Sequence, residues 1–166
     1  MTAPRTSIAV LPANWQHDRA SLELVRRRVF VEEQGVPESE EWDAADPTAW
    51  HILAIAGKRD PVGTGRLEPC GKIGRVAVLP QYRGAGIGGA IMSSLVNQAT
   101  ELGFEGVYLH AQTAAAGFYR RLGFRAEGPA FDEVGIPHVR MRLGIGRRDG
   151  YEEGQRGHEE HRLHAR

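Results

Sequence analysis

The chain has 166 residues, 41% of them hydrophobic and 25% charged, the size and composition of one globular domain with its own core. Lysine plus arginine balances aspartate plus glutamate at 21 each, so there is no overall basic field of the kind that holds nucleic acid or an anionic membrane. One cysteine, Cys70, excludes an internal disulfide; no apolar run reaches the ~20 residues of a membrane helix, and the opening MTAPRTSIAVLPANW has no long apolar core behind a basic start, so a cytoplasmic location is expected.

Ser7 to Leu11 alternates weakly and predicts a first strand that Pro12 ends. From Asp18 onward, Leu22, Val25 and Val29 share one face of a helix expected to run to about Glu33, with Arg26, Arg27 and Arg28 towards solvent or a neighbouring anion. Glu32 to His51 is the most acidic stretch of the chain, and Gly35, Pro37 and Pro47 argue against any regular element there. It predicts a loop folded back by Trp42 and Trp50 into a pocket wall, and a negatively charged wall would attract an amine.

Trp50 to Ala56 and Val62 to Leu67 predict a hairpin that continues, across the turn holding Cys70, into a strand with Ile73, Val76 and Val78. Pro80 stops that strand. Arg83, Gly84, Ala85, Gly86, Ile87, Gly88 and Gly89 then form a nearly bare loop, and Ile87, Ile91, Leu95, Ala99 and Leu102 follow at helical spacing up to Gly103. Val107 to Ala111, reached through that helix, is expected parallel to the Ile73 strand. Thr113 can cap a helix over 114–122, with Phe118 and Leu122 one turn apart, and two closing strands, 124–130 and 134–143, complete the order β, α, β, β, β, α, β, α, β, β. The expected domain is 1–143. The rest, 144–166, is charged in both signs and expected to be a solvated tail; its His158, His161 and His164 lack the H-E-x-x-H spacing, and no metal site is expected.

A strand, a glycine turn and a helix in that order leave the first N–H groups of the helix unpaired at its positive dipole end, which is an anion site suited to phosphate. Three phosphate loops compete for it. The P-loop is excluded because no Lys-Ser/Thr follows the glycines. Gly84, Gly86 and Gly89 match the dinucleotide fingerprint, but the next strand ends in His110, Ala111 and Gln112, and Glu105 precedes that strand instead of closing it. The third pattern is Arg83-x-x-Gly86-x-Gly88 directly after a V-A-V-x-P strand, and it resembles the coenzyme A diphosphate loop of the GNAT acetyltransferase superfamily.

Two further segments agree. Phe118-Tyr119-x-x-Leu122-Gly123-Phe124 resembles the F-Y-x-x-x-G-F helix and turn of that superfamily. Val29 to Pro37 (VFVEEQGVP), then Glu41, Asp43, Asp46 and His51, and later Gly135-Ile136-Pro137-His138, resemble its small bacterial ElaA-like branch. The resemblance implies an α/β fold with a mixed sheet of six to seven strands whose two parallel central strands splay apart. It also implies an N-acetyltransferase that uses acetyl-CoA on an amine. Pantetheine would lie along Val76, Ala77 and Val78, the diphosphate on Arg83, Gly84, Ala85, Gly86, Ile87 and Gly88, and Phe118 beside them. Tyr119 would serve the departing sulfur as acid or hydrogen-bond donor.

Many superfamily members place a glutamate base on the strand before the loop, where this chain has Gly74 and Arg75. Glu33, Glu41, His51 and His138 remain as candidates, with His138 and Glu33 foremost. Glu41, Asp43 and His51 are the expected acceptor contacts for a cationic small molecule or a lysine side chain. Transfer to a hydroxyl, another acyl group, and a non-catalytic CoA-binding module remain alternatives. A nicotinamide enzyme is a weaker one, and a homodimer is possible.

Overall fold

The computed structural model describes residues 6–146; of the sequence-defined tail, residues 147–166, with all three of its histidines, lie outside the described residues. Strand β1 (Ile8–Ala13) leads into helix α1 (Trp15–Arg26), which continues as π-helical turns over Arg27–Glu33. A short helix α2 (Glu38–Glu41) precedes the antiparallel strands β2 (Trp50–Ala56), β3 (Asp60–Leu67) and β4 (Lys72–Val78). Helix α3 (Ile87–Glu101) crosses to β5 (Gly106–Gln112), and α4 (Ala116–Arg121) leads to the hairpin of β6 (Arg125–Glu133) and β7 (Ile136–Gly144). All seven strands form one mixed sheet in the order β1-β2-β3-β4-β5-β7-β6, with β4 and β5 parallel. The seven strands, their connections and the parallel central pair are those expected from the sequence.

Strand β3 shows how the sheet is sandwiched. Its Thr64 and Arg66 face α1 and the acidic stretch, while Gly63 and Gly65 face α3 so closely that a Cβ on Gly65 would lie 2.6 Å from Ile91 and 2.8 Å from Leu95. Buried Ile87, Ile91, Leu95 and Ala99 seat α3 on this bare strip. Leu102, expected on the same face, is instead exposed at the helix end.

Several local expectations are corrected. Pro12 does not end β1; it pairs with Ile52, because β1 is an edge strand whose outer side needs no N–H. Helix α1 starts earlier, at Trp15, because the Asn14 side chain accepts from the N–H groups of Gln16 and His17. Thr113 begins a 3₁₀ turn, Thr113–Ala115, before α4. The folded chain also runs past residue 143, since the Ile145 N–H donates to Glu105 O at 2.8 Å.

The acidic stretch departs most from expectation. It contains α2 and a 3₁₀ turn, Asp46–Thr48, and it is folded around arginines. Arg26, expected towards solvent or a neighbouring anion, meets two anions and is 1% exposed: its Nε donates to Glu41 and its Nη1 to Asp46, both at 2.7 Å, and it lies 5.0 Å from the Trp42 ring. Arg66, equally buried, reaches Asp43 at 2.8 Å and Asp46 at 2.9 Å. Arg75 meets Glu41 and Asp43, each at 3.1 Å. Three guanidinium groups thus neutralise three carboxylates under the loop. Burial raises the carboxyls of Asp43 and Asp46, but the hydrogen bonds and charges of Arg66 and, respectively, Arg75 and Arg26 outweigh it and hold both below the usual aspartate value. His51 caps the cluster with Nε2–H donating to Asp46 O at 2.8 Å and its ring stacked 5.2 Å from Trp15; burial pushes its pKa below the ordinary 6.5.

Two outcomes follow from this packing. Gly65→Ala is expected to destabilise the fold by about 1–3 kcal/mol through overpacking against Ile91 and Leu95, measured by urea unfolding. Because the folded state holds His51 neutral, the unfolded chain takes up a proton that the folded chain refuses as the pH drops below 6.5. Stability should therefore fall across that window, and His51→Gln should show a shallower fall between pH 7.5 and pH 5.5.

Candidate active site

The site begins with a fault in the central strand. Between the pairs Thr64↔Ala77 and Arg66↔Gly74, two steps along β3 match three along β4, so β4 carries a bulge. Its pivot is Arg75, which sits at φ 52°, a left-handed conformation uncommon for any side-chain-bearing residue. The Thr64 hydroxyl holds the pivot by donating to Arg75 O at 2.9 Å. Beyond the bulge β4 leaves β5: the two parallel strands pair only at Lys72↔Tyr108 and Ile73↔Leu109.

A cavity of about 720 Å³ opens in the gap. Val76, Ala77 and Val78 form one wall, and Leu109, His110 and Gln112 of β5 form the other. At one end lies the glycine loop. Gly84 and Gly86 both adopt φ +81°, which glycine alone takes without strain, and a Cβ at either would meet nothing within 4 Å. Among the described residues, the N–H groups from Gly84 to Gly89 have no hydrogen-bond partner; the first amide of α3 to be paired is that of Ala90, with Gly86 O. A Cβ on Gly88 would lie 3.4 Å from the Phe118 ring, so a bare face of the helix borders the cavity. Of the residues expected here only Ala85 does not line the cavity; Gly89, part of the bare loop but not of the expected cofactor contacts, does.

Arg83 was expected as a free cation for the anion site. Instead it grips both carboxylate oxygens of Glu33 at 2.7 Å and donates through Nε to Val78 O at 2.9 Å. The clasp ties the end of the π-helical turns to the glycine loop. Glu33, a candidate base, lies off the cavity lining, and the hydrogen bond from Arg83 holds its carboxyl below the ordinary value, which makes it a weaker proton acceptor. The widened π-helical turns bring Val29, Phe30 and Gln34 to the cavity. Gln34 accepts from Gln112 Nε2 at 2.7 Å, a bridge between this wall and the end of β5.

Tyr119 lines the cavity from α4, edge-on to Phe118 and Phe124 at 5.0 and 6.0 Å between ring centroids. Burial pushes its phenol up to about 12, and no group among the described residues hydrogen-bonds its hydroxyl. His138 lines the far end, where its Nδ1–H donates to Ile136 O at 2.7 Å and its Nε2 faces Glu133 at 3.6 Å. His110 and Glu133, which the sequence did not single out, complete this end with Lys72.

The expected acceptor wall is only partly present. Glu41 and Asp43 line the cavity, but their charge is matched by Arg26, Arg66 and Arg75, so they do not form the negative surface expected from composition. His51 lies outside this cavity; it borders a separate one of about 170 Å³ beside Trp15. No helix among the described residues is long and apolar enough to cross a membrane.

Comparison with known proteins follows the same lines. Residues 18–145 match the family model described as an acetyltransferase (GNAT) domain. The uncharacterized N-acetyltransferase YjcF of Bacillus subtilis is 42% identical over 121 residues, covering 70% of this chain and 86% of that one. The crystal structure of Escherichia coli ElaA superposes with a TM-score of 0.74 at 28% identity, over 82% of this chain and 99% of that one. An acyl-CoA N-acyltransferase from Pseudomonas aeruginosa superposes with a TM-score of 0.72 at 29% identity, over 82% and 99%. A bulged strand splayed from its parallel neighbour, an amide-lined glycine turn and a family match spanning six of the seven strands lead to one conclusion: this chain is an acyltransferase of the GNAT family.

Proposed function

We propose that the enzyme binds acetyl-CoA in the cleft between β4 and β5 and transfers the acetyl group to a primary amine. The observation that carries this reading is the continuity of one cavity from the unpaired amides at 84–89 to the Tyr119 ring. The amides suit a diphosphate, because they are donors at the positive end of a 15-residue helix with no side chain in the way. The edge of β4 released by the bulge suits the amide groups of pantetheine. Bound there, acetyl-CoA would supply the activated acyl group.

The nucleophile must lose a proton first, since an alkylammonium has a pKa near ~10.4. Tyr119 cannot take that proton as a base, because a phenol held at about 12 stays protonated in neutral solution. It also binds its proton more tightly than a thiol near ~8.5. Tyr119 therefore assists the departing sulfur as a hydrogen-bond donor in a dry site, and full proton transfer is unnecessary. The acceptor would enter between the π-helical wall and the β6–β7 hairpin, beside Gln34, Lys72 and His138. With the acidic wall neutralised, shape and the few unpaired charges there select the acceptor, and bulk negative charge does not. The name of YjcF, an N-acetyltransferase, favours nitrogen as the acceptor atom.

Tyr119→Phe is expected to lower kcat for thiol release from acetyl-CoA about 10²-fold while leaving CoA affinity within about twofold, by steady-state kinetics and calorimetry. Gly88→Val places a branched side chain where the Cβ already meets Phe118 at 3.4 Å and Val78 at 3.9 Å. KM for acetyl-CoA should rise at least about tenfold, the equivalent of ~1.4 kcal/mol, with thermal unfolding close to that of the parent.

A further inference from the structure

Resting on the transfer reaction just described, we propose that His110 is the general base and that Glu133 is the carboxylate that positions it. The two residues come from different strands, β5 and β6, and meet at the acceptor end of the cavity. The His110 Nδ1 lies 3.1 Å from Glu133 Oε1. A carboxylate can only accept, so Nδ1 carries the proton and Nε2 of the neutral ring carries the lone pair. Among the described residues nothing hydrogen-bonds that Nε2. A carboxylate that fixes one ring nitrogen and leaves the other free is the arrangement that makes imidazole a directed base.

The rest of the pocket reinforces the arrangement. The Phe131 ring stands edge-on to His110 at 5.0 Å and nearly parallel to His138 at 6.1 Å, which limits rotation of the His110 ring. Burial raises the Glu133 carboxyl, but the hydrogen bond from His110, the largest of the opposing effects, and the positive charge of Lys72 act against it, and the carboxyl lies below its ordinary value, so Glu133 stays ionised and accepting. Other polar groups beside His110 are Tyr108, 6.3 Å away between ring centroids, and Arg140, its pairing partner on β7, whose guanidinium lies over the Tyr108 ring.

His138, the stronger candidate from sequence, is worse placed to take a proton from a ligand. Its Nδ1–H is committed to Ile136 O, and its Nε2 points at Glu133. Glu133 therefore stands between two histidines; it is hydrogen-bonded to His110 at 3.1 Å, whereas His138, at 3.6 Å, lies outside hydrogen-bond distance and has a main-chain carbonyl, not a carboxylate, on its other nitrogen. Val134, next in the chain and on the cavity lining, holds φ 48° in the hairpin turn, so Glu133 is set by a constrained backbone.

The proton balance is complete without another reactant. An ammonium acceptor carries two protons more than the amide product. One passes to His110 Nε2 and on to solvent. The freed nitrogen pair forms the C–N bond; the C–S bond breaks with its pair on sulfur, which Tyr119 hydrogen-bonds; the second surplus proton neutralises the thiolate.

The test is the pH dependence of kcat/KM for the full chain with a panel of primary amines, alongside calorimetric binding of acetyl-CoA. His110→Gln should lower kcat about 10²-fold or more and abolish the acidic limb, so that the rate climbs steadily with pH where the parent is level. Glu133→Gln should cost less and move that limb to lower pH, because losing the carboxylate makes the imidazolium less stable; loss of packing alone would leave the limb where it was. If His110→Gln does not fold, the limb shift in Glu133→Gln decides the question. A His110→Gln enzyme within threefold of the parent with its limb intact overturns the proposal, as does a limb that disappears in His138→Gln instead. A parent chain that binds acetyl-CoA yet acetylates no amine overturns the amine transfer itself, and that failure shows before any variant is made.

Discussion

The bulge in β4 is the constraint on which the site depends. An unbroken parallel pair would leave no room between β4 and β5, and a left-handed Arg75 costs on the order of 1–3 kcal/mol unless its surroundings hold it. Those surroundings are the arginine and carboxylate cluster. The Arg75 guanidinium reaches the main-chain oxygen of Glu41 at 2.9 Å and the side chains of Glu41 and Asp43, while its own carbonyl takes the Thr64 hydroxyl. The acidic stretch is thus a brace for the strained strand. Removing one of the cluster's buried members, Arg26, Arg66, Glu41 or Asp46, would strand an opposite charge, at a cost of roughly 3–5 kcal/mol.

A second brace acts at the other end of the cleft. Arg83 joins Glu33 of the π-helical turns to Val78 O, and so couples the wall that carries Phe30 and Gln34 to the glycine loop. An arginine beside unpaired amides suggests a phosphate ligand on chemical grounds alone, yet here the side chain is engaged by protein and the amides are the free donors. On the proposed reading, the anion site is made of main chain. Its specificity then rests on the glycine conformations and the positive end of α3, which are properties of backbone geometry more than of any one charge.

Much of this was legible in the sequence, and the reasons differ by element. The glycine loop, the α3 stripe and the strand order are local patterns: Ile87, Ile91, Leu95 and Ala99 recur at helical spacing, and turn residues punctuate each strand. The family resemblance carried the splay of the parallel pair and the place of Tyr119. The fate of Glu41, Asp43 and Arg26 was not legible, because ion pairs between positions 15 to 34 residues apart depend on tertiary packing and leave no periodic mark. His110 was passed over for a related reason. It sits at an ordinary inward position of a strand, and only its partner Glu133, 23 residues away on the hairpin, distinguishes it. The motif Gly135-Ile136-Pro137-His138 drew attention to the neighbouring histidine instead.

The central claim is that the cleft opened by the bulge is where acetyl-CoA lies, with its diphosphate on bare main chain. Amide hydrogen exchange of the full chain, measured with and without saturating acetyl-CoA, tests it most directly. Protection is expected at residues 84–89 and along the released edge of β4 at 74–78, with little change in β1 or β2. Protection concentrated elsewhere, or none at the glycine loop despite calorimetric binding, would contradict the account.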